Sequence, residues 1–139
     1  EIGLVTGKYG SSISVSSEEF IDAATQHSEY GITIDVVESQ KNYDRRTCYI
    51  DYDEIDSLVE GINYISNINS TATELSMFQA DYKTKDDLRI SVFNDDKNKL
   101  AVAINSGKYS GKTAYFALLD LPRIKKMIID AKLKIDNIK

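Results

Sequence analysis

The feature that most constrains the fold is a series of four alternating segments in the second half of the chain. In each segment apolar residues recur at every second position, and short polar stretches separate the segments. This alternation predicts half-buried antiparallel strands joined by short connections. The predicted strands centre on Phe78, Ala80 and Tyr82, on Leu88, Ile90 and Val92, on Leu100, Val102 and Ile104, and on Ala114, Phe116 and Leu118.

A helix is predicted to follow these strands. Its apolar residues recur at steps of three and four, which is the period of one helix face. Asp120 stands where an N-cap belongs, and Pro122 lies in the first turn, where a missing N–H costs little. The apolar stripe consists of Leu121, Ile124, Ile128, Ala131, Ile135 and Ile138.

The first half ends in the same pattern. Two alternating segments precede a second helical stripe, for which Asp53 is the predicted N-cap, and Asp56 favours the helix dipole. Residues 2–8 and 13–15 are weaker strand candidates, and residues 17–25 could instead form a short helical turn. The patterned residues are Ile32, Ile34 and Val36, then Cys48, Ile50 and Tyr52, then Ile55, Leu58, Val59, Ile62 and Ile65.

The two halves match at a fixed offset of 66 residues. Self-similarity at a fixed offset is typical of duplicated supersecondary units. We therefore predict an α+β fold in one domain, residues 1–139, built from two β-β-β-β-α units of about 1–70 and 71–139, with antiparallel sheets and helices packed on one face. The matched pairs are Tyr43 with Tyr109, Thr47 with Thr113, Tyr49 with Tyr115, Ile50 with Phe116, Leu58 with Ile124, and Ile62 with Ile128.

Charge divides along the same boundary. The net charge is −5, with 4 basic and 13 acidic residues in the first half and 13 and 9 in the second. The acidic balance disfavours a nucleic-acid partner, because such affinity depends largely on neutralising phosphates. The acidic first helix and the basic second helix could pack together within the domain or across a homodimer, or they could be two solvated faces.

Several classes of protein are excluded by composition. Cys48 is the only cysteine, so an intramolecular disulfide and a cysteine-rich zinc site are excluded. No stretch approaches the roughly 18 apolar residues of a membrane span. The chain starts at Glu1 rather than Met, which favours an exported (periplasmic or secreted) protein over a cytoplasmic one.

Three features of the sequence look like catalytic or metal sites but fit other roles better: a glycine-containing segment, the single histidine and the acidic clusters. Residues 106–113 contain Gly-Lys-Thr, but Ser106 stands where a phosphate-binding loop needs glycine, and strands flank the segment. His27 is the only histidine, and no nucleophile or metal motif surrounds it. The acidic clusters lack calcium-loop spacing and suit helix caps and turns. We therefore predict no catalytic residues, metal or cofactor.

Two basic, tyrosine-containing loops at equivalent points of the repeat are the candidate binding residues. Basic side chains interleaved with tyrosine suit stacking on bases and neutralising phosphates. They equally suit exposed hairpin edges, where lysine prevents edge pairing. The loops contribute Lys41, Tyr43, Arg45 and Arg46 in the first half, and Lys108, Tyr109 and Lys112 in the second.

Two β-β-β-β-α units resemble the topology of the Whirly and Pur-alpha families, and Gly111-Lys112-Thr113-Ala114 is similar to a Gly-Lys-containing stretch of Whirly proteins. That resemblance implies binding of single-stranded nucleic acid. Residues 49–65 and the matching residues 115–131 also resemble small bacterial proteins with no assigned activity. A fold does not by itself fix a function.

These observations favour a non-enzymatic binding or interaction module. The alternative is a single-stranded nucleic-acid-binding domain that uses exposed sheet faces and the two basic loops. A small hydrolase is a third hypothesis, for which 139 residues leave little room.

Overall fold

A computed structural model describes residues 2–39, 44–67, 79–94, 99–107 and 111–139. Within these ranges four strands precede the first helix, and four further strands precede the second, which a short 3-10 helix at Leu118–Asp120 introduces. The elements are β1 (Gly3–Thr6), β2 (Ser12–Asp22), β3 (His27–Ser39), β4 (Asp44–Asp51), α1 (Tyr52–Ser66), β5 (Gln79–Lys83), β6 (Leu88–Asn94), β7 (Leu100–Ser106), β8 (Lys112–Ala117) and α2 (Leu121–Ile138).

The strands form two antiparallel four-stranded sheets, so the α+β class predicted from the sequence is confirmed. In each sheet the strands lie side by side in chain order, β1 to β4 and β5 to β8. The helical turn considered for residues 17–25 is wrong. Glu18 pairs with Gly31 and Asp22 with His27, so β2 continues as a strand to the hairpin turn because cross-strand bonds satisfy its backbone.

One continuous apolar core joins both sheets and both helices. The inward positions predicted from alternation in β3, β6 and β7 are buried, except that Leu100 is only partly buried, and Cys48 lies inward beside Ile50 as a small apolar residue. The predicted helical stripes also face the core, except that Val59 is only partly buried and Ile138 is exposed. Phe78 lies outside the described residues.

Both helix starts differ in detail from the prediction. Asp51, rather than Asp53, is the N-cap of α1, and its carboxylate accepts a hydrogen bond from the Tyr52 N–H at 3.0 Å. Tyr52 therefore begins the helix instead of extending the strand. Asp120 occupies the N-cap position of α2 without a capping bond, because its carboxylate accepts the Ala117 N–H at 3.3 Å.

Each helix packs on the sheet formed by the other half of the chain. The main strand partners of α2 are β1, β2 and β3, where the Ser17 hydroxyl donates to the Ala131 carbonyl at 2.9 Å. α1 packs on β5 and β6, where Gly61 lies against the Tyr82 ring, and also on β3 and β4. The sequence predicted helices on one face of the sheets, but it did not predict this exchange between the halves.

The oppositely charged helices lie side by side within the chain. The Lys132 ammonium group is 2.8 Å from the Asp56 carboxylate, and Lys125 donates to the Asn63 side chain at 2.7 Å. Of the arrangements left open by the sequence, packing within the molecule is the one observed. Exposed ion pairs of this kind stabilise a fold only slightly, so the shared apolar core holds the helices together.

Candidate functional site

The outer face of the second sheet carries two large aromatic side chains over a floor of small residues. Phe93 and Tyr115 occupy the outward positions of β6 and β8. Ser91 and Ala101, also outward, are only 6% and 7% exposed. An outward face in this position is ordinarily polar and solvated. The small floor and raised rings therefore form a recess on the surface of the sheet.

The connection between β1 and β2 closes one side of this recess by binding to the edge of β8. The Lys8 N–H donates to the Tyr115 carbonyl at 2.7 Å, and the Tyr115 N–H donates to the Ser11 hydroxyl oxygen at 3.1 Å. The Ser11 hydroxyl in turn donates to the Lys8 carbonyl at 2.6 Å. These hydrogen bonds give partners to the Tyr115 N–H and carbonyl groups, which an edge strand otherwise leaves without a partner in the sheet.

Gly7 permits the close approach of this connection. A Cβ atom at Gly7 would overlap the Tyr115 carbonyl oxygen and lie 2.9 Å from the Phe116 ring. Any other residue would push the connection away from β8. The position of the first-sheet loop on the second sheet thus depends on one missing side chain.

The resulting aromatic cleft has a volume of about 600 Å³, which is within the usual range for small-ligand sites. Tyr9 and Tyr115 form its walls, with their ring centroids 6.0 Å apart and the planes nearly perpendicular. Tyr9 is 82% exposed, so one ring of the cleft is offered almost entirely to solvent. The lining residues are Lys8, Tyr9, Phe93, Asn94, Ala101, Tyr115 and Phe116.

Tyr9 also holds an unfavourable backbone conformation. Its φ is 61°, followed by Gly10 at 76°. The left-handed region costs a residue with a Cβ atom roughly 1–2 kcal/mol, and glycine or asparagine usually occupies it. The Ser11 N–H donates to the Lys8 carbonyl at 3.0 Å, so Tyr9 and Gly10 are the two central residues of a tight hairpin turn, which needs a positive φ at both positions.

The chemistry available in the cleft is stacking with a small polar contribution. The faces of Tyr9, Phe93 and Tyr115 can contact a planar or apolar ring. Lys8 supplies a positive charge, and Asn94 supplies an amide. No carboxylate, imidazole or thiol group lines the cleft among the described residues.

The structure brings together the parts of the two basic loops that it describes. A Cβ atom at Gly107, whose φ is +100°, would lie 2.7 Å from the Arg46 guanidinium, so these positions touch. The Thr113 N–H donates to the Glu38 carboxylate at 3.2 Å, which joins the start of β8 to the end of β3. Lys112 is the first residue of β8. Lys41, Tyr43, Lys108 and Tyr109 lie outside the described residues.

Arg45 lies on the other face of its strand and pairs within the first sheet. Its guanidinium is 2.9 Å from the Asp35 carboxylate, which also accepts a hydrogen bond from Thr47. Strand alternation separates Arg45 from Arg46, because consecutive side chains point to opposite faces. The predicted basic group is therefore divided, and only Arg46 reaches the second loop.

A smaller polar cleft of about 160 Å³ lies at the same end of the second sheet. Arg89 and Asn105 are register partners on the outer face, and Lys83 bridges Asp87 at 3.2 Å. Gly107 contributes to this cleft and also contacts Arg46. Lys83, Arg89 and Arg46 therefore lie near this end of the second sheet, together with Asp87. Arg45 does not join them, because it pairs with Asp35 in the first sheet.

Cys48 and His27 occupy structural positions. The Cys48 sulfur is 2.8 Å from the Ser106 hydroxyl and donates to the Asp86 carbonyl at 3.3 Å. Burial raises the pKa of the Cys48 thiol, which favours its neutral form. His27 is exposed at the first residue of β3. Neither residue lines the aromatic cleft.

Cys48 is expected to react slowly with a thiol reagent. At neutral pH labelling of the native protein should be at least about a hundredfold slower than labelling of the urea-unfolded chain. The reagent reaches Cys48 only when the fold opens locally, and only the thiolate form of the side chain reacts. The free energy of unfolding should also fall as pH rises through the thiol pKa of the unfolded chain, since the unfolded thiol ionises first. Rapid labelling of folded protein would contradict this placement.

The aromatic cleft was not predicted from the sequence, although two signals for it exist. Tyr115 and Phe93 fall on the outward positions of their alternating segments, where charged or polar residues are expected. Ser91 and Ala101 are small at positions where a solvated face carries longer side chains. The contribution of Tyr9 has no local signal, because it depends on contact with a strand more than 100 residues away.

No protein-family model and no curated protein matches this chain at a significant level. Among the described residues, neither helix has a stretch long and apolar enough to cross a membrane. Functional inference therefore depends on the geometry of the sites described above.

Proposed function

We propose that this protein is a non-enzymatic binding module whose ligand occupies the aromatic cleft on the outer face of the second sheet. The observation that carries the proposal is Tyr9, which is exposed and lies in a left-handed turn between Lys8 and Ser11, both of which are hydrogen-bonded to Tyr115 in β8. These hydrogen bonds hold the backbone that carries the ring, so less backbone entropy is lost when a ligand binds. Such a ring therefore suits recognition better than the usual fold-stabilising role of an aromatic residue.

The ligand class follows from the lining of the cleft. Three aromatic rings favour a ligand that presents a flat or apolar ring face, such as a base, an aromatic side chain or a sugar. Lys8 favours a negative charge near that ring. The described lining offers aromatic rings, one ammonium group and one amide, a set that favours stacking and charge complementarity.

Replacement of Tyr9 by alanine tests the cleft. The expected result is a 5- to 150-fold loss of affinity for a ring-bearing ligand, which corresponds to about 1–3 kcal/mol for one stacked ring. Titration calorimetry with oligothymidylate, an aromatic peptide and a neutral oligosaccharide would identify the ligand class. Tyr64→Ala is the matched control, because Tyr64 is 73% exposed on α1 and does not line the cleft.

Two outcomes would contradict the proposal. One is wild-type protein that binds none of the three probes. The other is equal loss of binding in Tyr9→Ala and Tyr64→Ala, which would show that the cleft has no special role. Thermal melts of both variants establish that the fold is retained.

Single-stranded nucleic-acid binding remains the second candidate function. The contact between Arg46 and Gly107 supports it, because this contact gathers parts of both basic loops beside the cleft formed by Lys83, Arg89 and Asn105. A base on the aromatic rings and phosphates at this cationic end would use one face of the sheet. The net charge of −5 opposes this function.

The salt dependence of oligothymidylate binding separates the two candidates. Nucleic-acid recognition through several phosphates requires affinity to fall steeply as salt rises, whereas ring stacking alone gives a shallow dependence. If the protein binds nucleic acid through phosphates, Arg89→Gln should make the affinity less dependent on salt. If only ring stacking acts, the variant should leave the salt dependence unchanged. Arg123→Gln, at an exposed site on α2, is its control.

We also propose that the chain is a single domain that arose by duplication of a β-β-β-β-α unit. The order of elements supports this history, as do matched positions at the repeat offset: Ile50 and Phe116 are both fully buried, and Leu58 and Ile124 both face the core. The exchange of helices between the halves suits an ancestral dimer of two such units, fused into one chain.

A further inference from the structure

The outer face of the first sheet carries a pair of aromatic rings that the core does not use. Strand register places this pair, Phe20 of β2 and Tyr49 of β4, on the face opposite the buried Ile32 and Ile50. The Tyr49 ring lies across β3 over Gly31, where a Cβ atom would overlap the tyrosine hydroxyl group. The ring thereby reaches Phe20, with the two ring centroids 5.3 Å apart and the ring planes nearly perpendicular.

Phe20 keeps a free surface although it packs on Tyr49. The Phe20 side chain is 51% exposed, whereas Tyr49 is half-buried. Ile21 does not belong to this surface, because consecutive strand residues point to opposite faces of the sheet. A further group can therefore lie on the Phe20 ring from the solvent side.

Three carboxylates surround the aromatic pair on the same face. Glu29 is the register partner of Phe20, and Glu18 and Asp51 are the register partners of Gly31 on its two sides. Together with the two rings, these residues span β2, β3 and β4, which is about 10 Å of sheet surface. The surface is therefore aromatic at its centre and negative around it.

No ion pair neutralises Glu18, Glu29 or Asp51 within the part of the chain that the structure describes. Glu18 accepts a hydrogen bond from the Thr33 hydroxyl at 3.4 Å, and Asp51 caps α1, but neither contact supplies a positive charge. Burial, followed by the charges of these three carboxylates, raises the pKa of the Tyr49 hydroxyl. Uncompensated negative charge therefore reaches the aromatic pair.

The chemistry that matches this surface is a planar cation. A cation is attracted by the negative face of an aromatic ring, and carboxylates beside the ring add ion pairing. An arginine guanidinium group is better suited than a lysine ammonium group, because its plane stacks on a ring while its N–H groups pair with a carboxylate. An extended basic segment fits a surface of this breadth, since its neighbouring cations reach the remaining carboxylates.

We propose that the outer face of the first sheet, at Phe20 and Tyr49, binds a basic segment of a partner protein through an arginine side chain. The guanidinium group stacks on the exposed Phe20 ring and pairs with Glu29, the register partner of Phe20. A second basic residue of the segment pairs with Glu18 or Asp51. The acidic first half of the chain adds long-range attraction for such a segment.

This surface is separate from the aromatic cleft on the second sheet, because none of the residues that line the cleft belongs to it. The two sites can therefore fail independently. Tyr9→Ala should leave the binding of a basic segment unchanged, and Phe20→Ala should leave ligand binding in the cleft unchanged.

Fluorescence anisotropy with two labelled peptides tests this surface. One peptide alternates glycine with arginine, and the other carries lysine in place of each arginine. The arginine peptide is expected to bind wild-type protein about threefold or more tightly than the lysine peptide, because only the guanidinium group both stacks and forks. Phe20→Ala and Glu29→Gln should each weaken arginine-peptide binding about fivefold or more, since each removes one of the two groups that hold the guanidinium.

The other face of the hairpin supplies a matched control for each variant. Ile21→Ala removes a side chain that is 66% exposed next to Phe20, and Glu19→Gln removes the same charge as Glu29→Gln. Both controls should bind the arginine peptide within about twofold of wild type, because exposed charges on the far face are largely screened by salt. Thermal melts of the four variants establish that the fold is retained.

Four results would overturn the inference. Wild-type protein that does not bind the arginine peptide at about 1 mM would exclude a site of useful affinity. Equal affinity for the lysine peptide would show that the guanidinium group has no special role. Equal losses in the variants and their controls would show that the face carrying Phe20 is not the binding surface. Self-association of wild-type protein in sedimentation velocity that Phe20→Ala abolishes would make a second copy the occupant.

Discussion

Ile128→Asp is expected to lower the thermal midpoint of the protein by about 10 °C or more. Ile128 is completely buried in the core that α2 shares with the first sheet. A charge placed there without a partner costs about 3–5 kcal/mol, a large part of the 5–15 kcal/mol that stabilises an ordinary domain. A lowered midpoint of the thermal transition in circular dichroism would be the direct measurement.

The neighbouring residue supplies the control for this prediction. Ile129→Asp makes the same chemical change one position along α2, where the side chain is 37% exposed. This variant should melt within a few degrees of wild type, as surface substitutions usually do. If both variants melt alike, α2 is not packed on the first sheet as described.

Gly7→Ala should have the second largest effect, on both stability and ligand binding. The added methyl group would overlap the Tyr115 carbonyl oxygen and press on the Phe116 ring. Overlap with backbone in a packed region costs about 1–3 kcal/mol. Because the same shift would move Lys8 and Tyr9 away from β8, affinity in the aromatic cleft should fall together with the urea midpoint.

Gly10→Asn is the comparison that isolates the close contact. Gly10 has a φ of +76° and open space around the position of a Cβ atom, and asparagine tolerates this conformation better than most residues. Its urea midpoint should therefore change much less than that of Gly7→Ala. An unchanged midpoint and unchanged binding in Gly7→Ala would show that the connection does not depend on this glycine.

Most of the strand and helix pattern could be predicted because it depends on local periodicity. The alternation at Leu88, Ile90 and Val92 and the stripe along α2 record which positions are buried, whatever they pack against. The region of residues 17–25 was harder to predict, because Phe20 and Ile21 follow one another and break the alternation. They are exposed near the end of the hairpin of β2 and β3.

The candidate site was less predictable because it is assembled from distant segments. The sequence placed basic side chains in two loops, and the structure brings Arg46 to Gly107 but turns Arg45 towards Asp35. That division follows from strand register, which alternation indicates only when one face is clearly apolar. Tyr9 could not be predicted at all, since its placement depends on the hydrogen bonds that Lys8 and Ser11 make with Tyr115.

By itself the sequence determined the two sheets and two helices, their order along the chain and the inward positions of most of them. These properties are encoded in residues a few positions apart, and the apolar groups must leave water in any compact state. Only the tertiary structure decided that α2 covers the first sheet, that Gly7 lets the β1–β2 connection reach β8, and that the hairpin of β2 and β3 extends beyond its pairing with β1 and β4. Apolar burial is non-directional, so periodicity shows that a face is covered but not which partner covers it. That choice depends on shape and hydrogen bonding between residues more than 100 positions apart, such as Ser17 with Ala131 and Ser11 with Tyr115.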